Sequence, residues 1–306
     1  MTRDRTFYYA RTLLRNLLSL KGATAVLSSL GVLYTVLKCA ELFGFAKQSA
    51  IQPYWWVFLG SGVIGAFWIC RPKLSSMCKL KDRDISIEIA IGDLFTFDGA
   101  LIVGTNTTFD TQISRDLIDE SSVQGQFTTR YYDEHTSLDN ELASKLGCVH
   151  HEKLAGKRRG KSDRYPIGTA VKVQPKGRTG YFLAICDINE HGAASGKFEE
   201  LKQALLELWV FIGSHGTKES LVMPVLGTKF MRLKPSRQVV TQEIIKSFIA
   251  ACAERTFCEK LTIVLHEKDV LNNNIDIDAL ARYLQHLCTY TEFSADTAER
   301  TGTAAP

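Results

Sequence analysis

Two apolar stretches within the first 70 residues constrain this chain more than any other feature of its sequence. The first runs from about Gly22 to Ala46, and the second runs from about Tyr54 to Cys70 without a charged residue. A helix needs about 20 residues to cross the hydrocarbon core of a bilayer, and both stretches come close to that length. We therefore expect residues 21–72 to form two transmembrane helices joined as a hairpin.

Two other interpretations of these stretches are weaker. A secretory signal peptide is disfavoured because no convincing cleavage site follows the first stretch and a second apolar stretch comes at once. A buried hairpin in a soluble protein is disfavoured because Trp55, Trp56 and Trp68 lie near the ends of the second stretch, where interfacial aromatic residues are common. Lys38 and Glu41 interrupt the first stretch, but they are three residues apart and can pair on one helix face.

The basic residues around the two stretches predict the orientation of the hairpin. They stand before the first stretch and after the second: Arg3, Arg5, Arg11, Arg15, Lys21, Arg71, Lys73, Lys79, Lys81 and Arg83. The connection near residues 47–53 carries one lysine, so the positive-inside rule places both chain termini in the cytoplasm. Residues 1–20 are expected to form an amphipathic cytoplasmic segment on the inner membrane surface.

Small residues four positions apart allow transmembrane helices to approach closely. Three such pairs occur in the apolar stretches: Thr24 with Ser28, Ala25 with Ser29, and Ser61 with Gly65. Packing of the two helices within one chain explains these pairs as well as association between chains does.

Beyond the apolar stretches the composition is that of a globular protein with a packed core. The net charge of +4 is mild, and the sequence does not indicate a nucleic-acid-binding protein. The densest basic cluster is expected to be a solvated loop: Lys153, Lys157, Arg158, Arg159, Lys161 and Arg164. The cysteines form no CxxC pair and have no zinc-like spacing with a histidine, so we expect no metal site and no cofactor.

Residues 84–292 alternate between strand and helix patterns. Period-two alternation or short apolar runs predict strands at residues 85–91, 100–103, 169–173, 180–186, 220–224 and 261–265. Apolar residues that recur on one helical face predict helices at residues 198–212, 236–253 and 277–287. This alternation predicts an α/β sheet flanked by helices. The polar residues 293–306 are expected to form a disordered tail.

Three polar segments follow predicted strands, at the sheet edge where α/β proteins bind ligands. Asp93 follows the first strand, and its carboxylate can accept a hydrogen bond from an exocyclic amine such as that of adenine. Residues 104–110 (GTNTTFD) follow the second strand and offer polar groups suited to ribose or phosphate. A turn aspartate or a helix cap explains the first segment equally well, and an ordinary polar turn explains the second equally well. Residues 224–233 (PVLGTKFMRL) are more specific, because such a loop can direct N–H groups at phosphate.

Together these segments resemble a macro domain, the fold that binds ADP-ribose, over roughly residues 85–270. The order of the segments along the chain matches that of a macro domain: a strand with a Gly-Asp turn, a buried strand that ends in asparagine, and a late Pro-x-Leu-Gly-Thr loop before a helix. The apolar stretches, with residues 104–110 and 122–128 (SVQGQFT), resemble the macro-domain effectors of Thoeris-type antiphage systems. The resemblance implies an α/β fold: a macro-domain-like mixed sheet flanked by helices, preceded by a two-helix transmembrane hairpin.

The resemblance implies a receptor and not an enzyme. A partner TIR-domain protein would make an ADP-ribose-derived signal, such as histidine-linked ADP-ribose, and the macro-like domain at residues 84–292 would bind it. The membrane helices would then form a homo-oligomer among the lipids and disrupt the bacterial inner membrane, which kills the cell before phage release.

The resemblance also assigns ligand-binding residues. By position, Asp93 would meet the adenine and Asn106 the distal ribose, while the loop that begins at Gly227 would hold the diphosphate. The full set implied to bind the ligand is Asp93, Asn106, Thr107, Gln124, Gly125, Gln126, Gly227, Thr228, Lys229 and Arg232.

The chain departs from the hydrolytic macro domains in its first loop. Those enzymes carry an Asn-Ala-Ala-Asn segment and a glycine triplet that position the ribose and the attacking water, whereas this chain has Gly-Thr-Asn-Thr-Thr there. Two alternatives stay open: a membrane-tethered ADP-ribosyl hydrolase, and an anchor whose soluble domain binds only a protein. No pair among Asp110 and the histidines falls at a spacing that demands catalysis.

Overall fold

The computed structural model describes residues 3–45, 55–114, 117–157, 159–188, 194–227, 234–272 and 275–292. The chain divides into two compact units, Met1–Leu74 and Ser75–Pro306. The apolar stretches lie in the first unit, and the predicted α/β region lies in the second. The predicted external connection and the predicted tail lie outside the described residues.

Three helices form the described part of the first unit: α1 (Arg3–Leu17), α2 (Leu20–Leu42) and α3 (Trp55–Ile69). Helix α2 has 23 residues and contains an 18-residue window with a mean hydropathy of 1.5, so it is long and apolar enough to cross a membrane. The apolar part of α3, Leu59–Ile69, is shorter. A second membrane span and the transmembrane hairpin therefore stay predictions.

Small residues bring α2 and α3 together within one chain. A Cβ atom on Gly65 would lie only 2.8 Å from the Ser29 Oγ atom, so the two helices approach closely at this point. The Asn16 Nδ2 atom of α1 donates a hydrogen bond of 3.1 Å to the Cys70 carbonyl oxygen, just beyond α3. Ser29 and Gly65 thus serve contacts inside the chain, and association between chains stays a prediction.

A mixed sheet forms the centre of the second unit. The described strands are β1 (Ser75–Lys79), β2 (Ser86–Ile91), β3 (Ala100–Asn106), β4 (Glu152–Lys153), β5 (Asp163–Arg164), β6 (Ala170–Val173), β7 (Gly180–Ile188), β8 (Ala194–Ser195), β9 (Leu221–Pro224) and β10 (Lys260–Leu265). The sheet order is β1-β2-β10-β9-β3-β7-β6, with β8 paired to β7, while β4 and β5 form a separate hairpin. Strands β2, β10, β9, β3 and β7 are parallel, and β1 and β6 are antiparallel at the two edges.

Burial explains why the central strands form where the sequence predicts them. Residues 100–103 of β3 are at most 2% exposed, because neighbouring strands and helices cover a wholly apolar run from all sides. On β2 the buried Ile87 and Ile89 alternate with half-buried Ser86 and Glu88. The six predicted strands are all confirmed, with ends that differ by up to three residues.

Helices flank the sheet. They are α4 (Val123–Tyr131), α5 (His135–Leu146), α6 (Phe198–His215), α7 (Arg237–Glu254), α8 (Glu267–Asn272) and α9 (Ile277–Tyr290). The side chains of Ser122, Ser236 and Asp276 cap α4, α7 and α9, and each accepts a hydrogen bond from the N–H three residues later. The three predicted helices are confirmed as α6, α7 and α9.

Two aromatic contacts show how helices close the core. The Phe127 ring of α4 meets the Phe182 ring of β7 edge to face, with centroids 5.3 Å apart. The Trp209 ring of α6 meets the Phe248 ring of α7 in the same way at 5.3 Å. Such pairs favour one defined packing arrangement, so the sheet provides a rigid base for the loops at its edge.

Candidate functional site

Five of the described strands run parallel and end at one edge of the sheet, and the segments predicted to bind a ligand follow three of them. Asp93 follows β2, Thr107 follows β3, and Gly227 follows β9. Open α/β sheets bind ligands beyond the carboxyl ends of their strands, so this edge is the candidate site. Its described side chains fall into an exposed group and a buried group.

The surface cluster consists of Asp93, Phe95, Gln126 and Arg130. The Asp93 Oδ1 atom accepts a hydrogen bond of 3.1 Å from the Phe95 N–H. The Asp93 Oδ2 atom lies 3.7 Å from an Nη atom of Arg130, and the two side chains are 45% and 46% exposed. The guanidinium carbon lies 4.3 Å from the centroid of the Phe95 ring, and a guanidinium Nη atom donates to Gln126 Oε1 at 3.5 Å. Two predicted ligand-binding residues, Asp93 and Gln126, therefore meet at one guanidinium.

The first turn of helix α4 directs the three predicted ligand-binding residues Gln124, Gly125 and Gln126 to different surroundings. Gln126 faces the surface cluster, whereas Gln124 is 4% exposed and its Nε2 atom donates a hydrogen bond of 2.6 Å to the Asp110 carbonyl oxygen. The Gly125 N–H donates at 3.0 Å to the Ser122 hydroxyl, which caps the helix. Of these three predicted ligand-binding residues, Gln126 thus lies in the surface cluster, Gln124 bonds to the buried segment at Asp110, and Gly125 belongs to the helix cap.

The buried network is centred on the Asp110 carboxylate, whose side chain is 1% exposed. Its Oδ2 atom accepts hydrogen bonds from Asn106 Nδ2 at 3.0 Å, Thr108 Oγ1 at 2.7 Å and Lys157 Nζ at 2.7 Å. Its Oδ1 atom accepts from the Lys161 N–H at 2.7 Å. Four donors therefore hold this carboxylate in one position beneath the edge of the sheet.

Asn106 uses both ends of its side-chain amide inside this network. The Nδ2 atom donates to Asp110, and the Oδ1 atom accepts from the N–H groups of Thr108 and Asp110, each at 3.2 Å. The pairing of β3 with β7 shifts in register between Thr105 and Asn106, where the strand ends. A direct hydrogen bond from Asn106 to a ribose would require the amide to leave its present partners.

Lys157 corrects one expectation from the sequence. The basic cluster is predicted to be a solvated loop, but the Lys157 side chain is 1% exposed, and its Nζ atom donates to Asp110 and Thr108, each at 2.7 Å. Burial of a charge is tolerated only where it is paired and hydrogen-bonded. The Asp110–Lys157 pair therefore fastens the segment after β3 to the loop between β4 and β5. Lys153, by contrast, is 70% exposed.

Two backbone positions with positive φ shape the same region. Phe109 has a φ of 48°, which is uncommon for a residue other than glycine, and its buried ring meets Tyr165 edge to face at 5.6 Å. Gly160 has a φ of 75°, and a Cβ atom there would overlap the Asp110 Oδ1 atom. Only glycine allows the β4–β5 loop to come so close to the carboxylate.

Thr107 is fixed by β7 and β5. Its Oγ1 atom donates a hydrogen bond of 3.0 Å to Asp187 Oδ1, and Arg164 donates at 2.6 Å to Asp187 Oδ2. The Thr107 N–H donates at 2.9 Å to the Cys186 carbonyl oxygen. Burial, with a smaller contribution from Asp187, raises the pKa of the Cys186 thiol to about 12. This thiol therefore stays protonated near neutral pH and is a poor nucleophile.

The loop after β9 is described only at its start. Gly227 has a φ of 73°, a backbone conformation that favours glycine, and it follows the buried Leu226. Thr228, Lys229 and Arg232 lie outside the described residues, so their contact with a diphosphate stays a prediction.

Sequence reasoning missed Arg130 and Lys157 at this edge. Arg130 lies four residues after Gln126 on α4, but the sequence analysis predicts no helix there, so the spacing that places both side chains on one helix face could not be used. Lys157 has no local signal, since its partner Asp110 is 47 positions away in the sequence.

A separate surface concavity of about 340 Å³ lies where α4 meets α5, and it is lined by Ile113, Thr128, Thr129, Tyr132, Asp133, Glu134 and His135. None of the predicted ligand-binding residues lines it. In the described part of the chain, no group of three or more His, Cys, Asp or Glu side chains is arranged to hold a metal ion.

Comparison with known sequences gives two matches to one kind of protein. A family model described as Thoeris protein ThsA, Macro domain, matches residues 87–266, which is more than half of the chain. The curated Thoeris protein ThsA of Bacillus amyloliquefaciens (strain Y2) is 25% identical over 191 residues. That match covers 60% of this chain and 63% of the relative, so it spans less than two thirds of the relative's length.

Solved structures of the Oceanobacillus iheyensis macrodomain are also similar. A point mutant solved with ADPR has 11% identity and a TM-score of 0.46, and the match covers 70% of this chain and 98% of that chain. The same macrodomain solved with ADP has 11% identity and a TM-score of 0.44, with coverage of 71% and 97%.

Proposed function

Because this chain belongs to the family of Thoeris protein ThsA macro domains, we propose that it is an antiphage defence effector that binds an ADP-ribose-derived signal. The matched residues include Asp93, Asn106 and Gly227, each near the carboxyl end of a parallel strand. Their common position at one edge of the sheet is the observation that carries the proposal, since open α/β sheets bind ligands there.

The ligand lies along this edge in the proposed complex. Its adenine meets the exposed Asp93 carboxylate. Its distal ribose lies near Asn106, which the buried network holds in place, and near Thr107, which bonds to Asp187. Its diphosphate meets the loop that begins at Gly227. The other residues of the proposed site are Gln124, Gly125, Gln126, Thr228, Lys229 and Arg232.

In this proposal, binding of the signal to the second unit acts on the helices of the first unit. A partner TIR-domain protein makes the signal, such as histidine-linked ADP-ribose, and binding favours a homo-oligomer of this chain. Its helices then disrupt the inner membrane and cause abortive infection. The signal must bind the oligomeric state more tightly than the resting state, and a difference of about 4 kcal/mol shifts the equilibrium roughly a thousandfold.

We place the chain in the bacterial inner membrane as a multi-pass protein with both termini in the cytoplasm. Helix α2 supports this placement by its length and apolar composition, and the flanking basic residues support the orientation. A cytoplasmic second unit would meet a nucleotide signal made inside the infected cell.

The alternative is a membrane-tethered ADP-ribosyl hydrolase, and the geometry favours the receptor. Hydrolysis needs a group that positions or activates a water molecule. Both oxygens of the Asp110 carboxylate are engaged by protein donors, and the Asn106 amide is engaged at both ends. A catalytic role for either side chain would require the network to open.

Calorimetric titration of the full-length chain in detergent tests the proposal, with ADP-ribose, NAD and histidine-linked ADP-ribose as ligands. We expect at least one ADP-ribose compound to bind at micromolar affinity or better and to be recovered unchanged. Asp93→Ala is expected to weaken binding at least about tenfold, because it removes a charged acceptor of a hydrogen bond. The matched control Asp98→Ala removes an exposed carboxylate from the same segment and is expected to leave affinity unchanged.

Two outcomes would change the assignment. If none of the three compounds binds, the receptor proposal is wrong, and the second unit is better explained as a protein-binding domain. If a conjugate binds and free ADP-ribose is slowly released from it, the hydrolase is the better description.

A further inference from the structure

Strand β1 and helix α9 bring two cysteines of the second unit together. Side chains alternate along β1, so Cys78 lies on the half-buried face of the strand, whereas Met77 and Lys79 are exposed. On α9 the buried residues recur every three or four positions and end at Cys288, which is 1% exposed. The Lys81 N–H, just beyond β1, donates a hydrogen bond of 3.3 Å to the Cys288 carbonyl oxygen. This contact holds the end of β1 against the turn of α9 that carries Cys288.

The two thiols interact directly but differ in their access to solvent. Burial of Cys288, and next its hydrogen bond with the Cys78 thiol and the charge of Cys78, raise the pKa of the Cys288 thiol to about 12. Cys288 therefore stays protonated near neutral pH and is a poor nucleophile. Cys78 is partly exposed, so a small dissolved oxidant reaches its sulfur atom first. One thiol of the pair is thus accessible, and the other lies beside it.

A second pair of thiols in the same unit provides a comparison. Cys252 on α7 and Cys258 before β10 also interact, but both are 0% exposed. Burial raises the pKa of both thiols, that of Cys258 to about 12. A dissolved oxidant does not reach either sulfur atom, so proximity of two thiols is not sufficient for reactivity. The partial exposure of Cys78 distinguishes the pair between β1 and α9.

We propose that Cys78 and Cys288 form an oxidation-sensitive site at which a hydroperoxide converts the two thiols into a disulfide between β1 and α9. The Cys78 sulfur attacks one peroxide oxygen and the O–O bond breaks, which gives a sulfenic acid and releases water or an alcohol. The Cys288 sulfur then attacks the Cys78 sulfur, and the hydroxyl group leaves with the Cys288 proton as water. Two thiols are oxidised by two electrons in total, and one hydroperoxide is reduced.

The first step prepares the second. The sulfenic acid does not carry the thiolate charge of Cys78, so one cause of the raised Cys288 pKa is removed before Cys288 reacts. Cys288 also lies next to the sulfur atom that it must attack, which favours the disulfide over further oxidation of Cys78.

The disulfide has a structural consequence that does not depend on nucleotide binding. Strand β1 begins at Ser75, soon after α3 ends at Ile69, and α9 lies near the end of the described chain. A bond between them closes a loop that contains most of the second unit, and cross-links over long loops remove much of the entropy of the unfolded chain. The oxidised form should therefore be more stable, and β1 can separate from α9 only after reduction.

Peroxide treatment of the full-length chain in detergent tests the proposal. The reduced protein is exposed to hydrogen peroxide, free thiols are blocked, and mass spectrometry of peptides locates each oxidised cysteine. We expect a disulfide between Cys78 and Cys288 of one chain to form at least about tenfold faster than Cys252 or Cys258 is oxidised. The oxidised form should unfold at least about 5 °C above the reduced form, and dithiothreitol should reverse this shift.

Two variants separate this site from general oxidation. Cys78→Ser removes the accessible thiol and should abolish both the disulfide and the midpoint shift. Cys148→Ser removes an exposed cysteine from another part of the second unit and should leave both unchanged. The inference is overturned if Cys78 stays reduced while Cys148 is oxidised, or if Cys78 is oxidised without a bond to Cys288. It is also overturned if the midpoint shift persists in Cys78→Ser.

Discussion

The substitution Lys157→Met removes the cation from the buried network after β3 and leaves an unbranched apolar side chain in its place. The Asp110 carboxylate then stays 1% exposed but has lost its ion-pair partner at 2.7 Å. We expect the second unit to lose stability, because desolvation of this carboxylate is no longer offset by the ammonium group.

The contacts of Asp110 set the size of the effect. Loss of one partner from a buried ion pair costs about 3–5 kcal/mol. Three donors remain on the carboxylate, from Asn106, Thr108 and the Lys161 N–H, so the lower end of this range, about 3 kcal/mol, is expected. At about 2–4 °C for each kcal/mol in a domain of this size, the unfolding midpoint should fall by about 6–12 °C.

Thermal unfolding of the full-length chain in detergent, followed by near-UV circular dichroism, measures this shift. Lys153→Met is the matched control, because Lys153 pairs with Asp163 in the same hairpin but is 70% exposed. Exposed pairs contribute less than about 1 kcal/mol, so the control midpoint should fall by less than about 4 °C. Adding Asp110→Asn to Lys157→Met should recover at least about half of the loss, since no buried charge remains.

Two results would refute this reasoning. An equal midpoint shift for Lys157→Met and Lys153→Met would mean that burial of the Lys157 charge has no energetic consequence. A double variant as unstable as the sum of its two single variants would mean that Asp110 and Lys157 are not coupled.

Two further predictions concern pH and membrane orientation. Burial of the Tyr181 phenol, and next its hydrogen bond of 2.6 Å to Glu219, raise the pKa of this group above its usual value near 10. The contribution of the protonated phenol to the stability of the fold is therefore present below about pH 10 and is lost at higher pH. Tyr181→Phe should therefore be less stable than the natural sequence in urea at pH 8, with a gap that narrows above pH 10; a constant gap would contradict the assignment. The exposed Cys148 should react with a membrane-impermeant maleimide in inverted vesicles and not in intact spheroplasts, in a Cys39→Ser background. Labelling in spheroplasts would contradict the cytoplasmic placement of the second unit.

The central sheet could be predicted from the sequence because its apolar runs are themselves the core. Strand β3 is recognisable as a buried strand since residues 100–103 are all apolar and all buried. Strand β1 could not be predicted, because Ser75–Lys79 (SSMCK) has little apolar character and forms through backbone pairing with β2. The formation of β1 therefore depends on its neighbour β2 and not on the side chains of β1 itself.

The site was predictable only where local chemistry determines position. Asp93 lies two residues after the end of β2 and caps the next turn, so neighbouring residues determine its position at the edge of the sheet. The partners of Asn106 could not be predicted, because they include Asp110, which is held in turn by Lys157 from a distant hairpin. Asparagine at the end of a buried strand suggests ligand contact, but it serves equally well as a structural hydrogen-bonding group.

The two charge pairs at this edge should respond differently to ionic strength. Salt at about 0.1 M screens exposed charges over about 10 Å but acts much less on buried ones. The Asp93–Arg130 pair is nearly half exposed, whereas the Asp110–Lys157 pair is 1% exposed. Rising salt therefore weakens the electrostatic attraction between Arg130 and the Asp93 carboxylate, whereas the buried segment that contains Asp110 keeps its structure. The charge at this edge of the sheet therefore depends on ionic strength, whereas the structure beneath it does not.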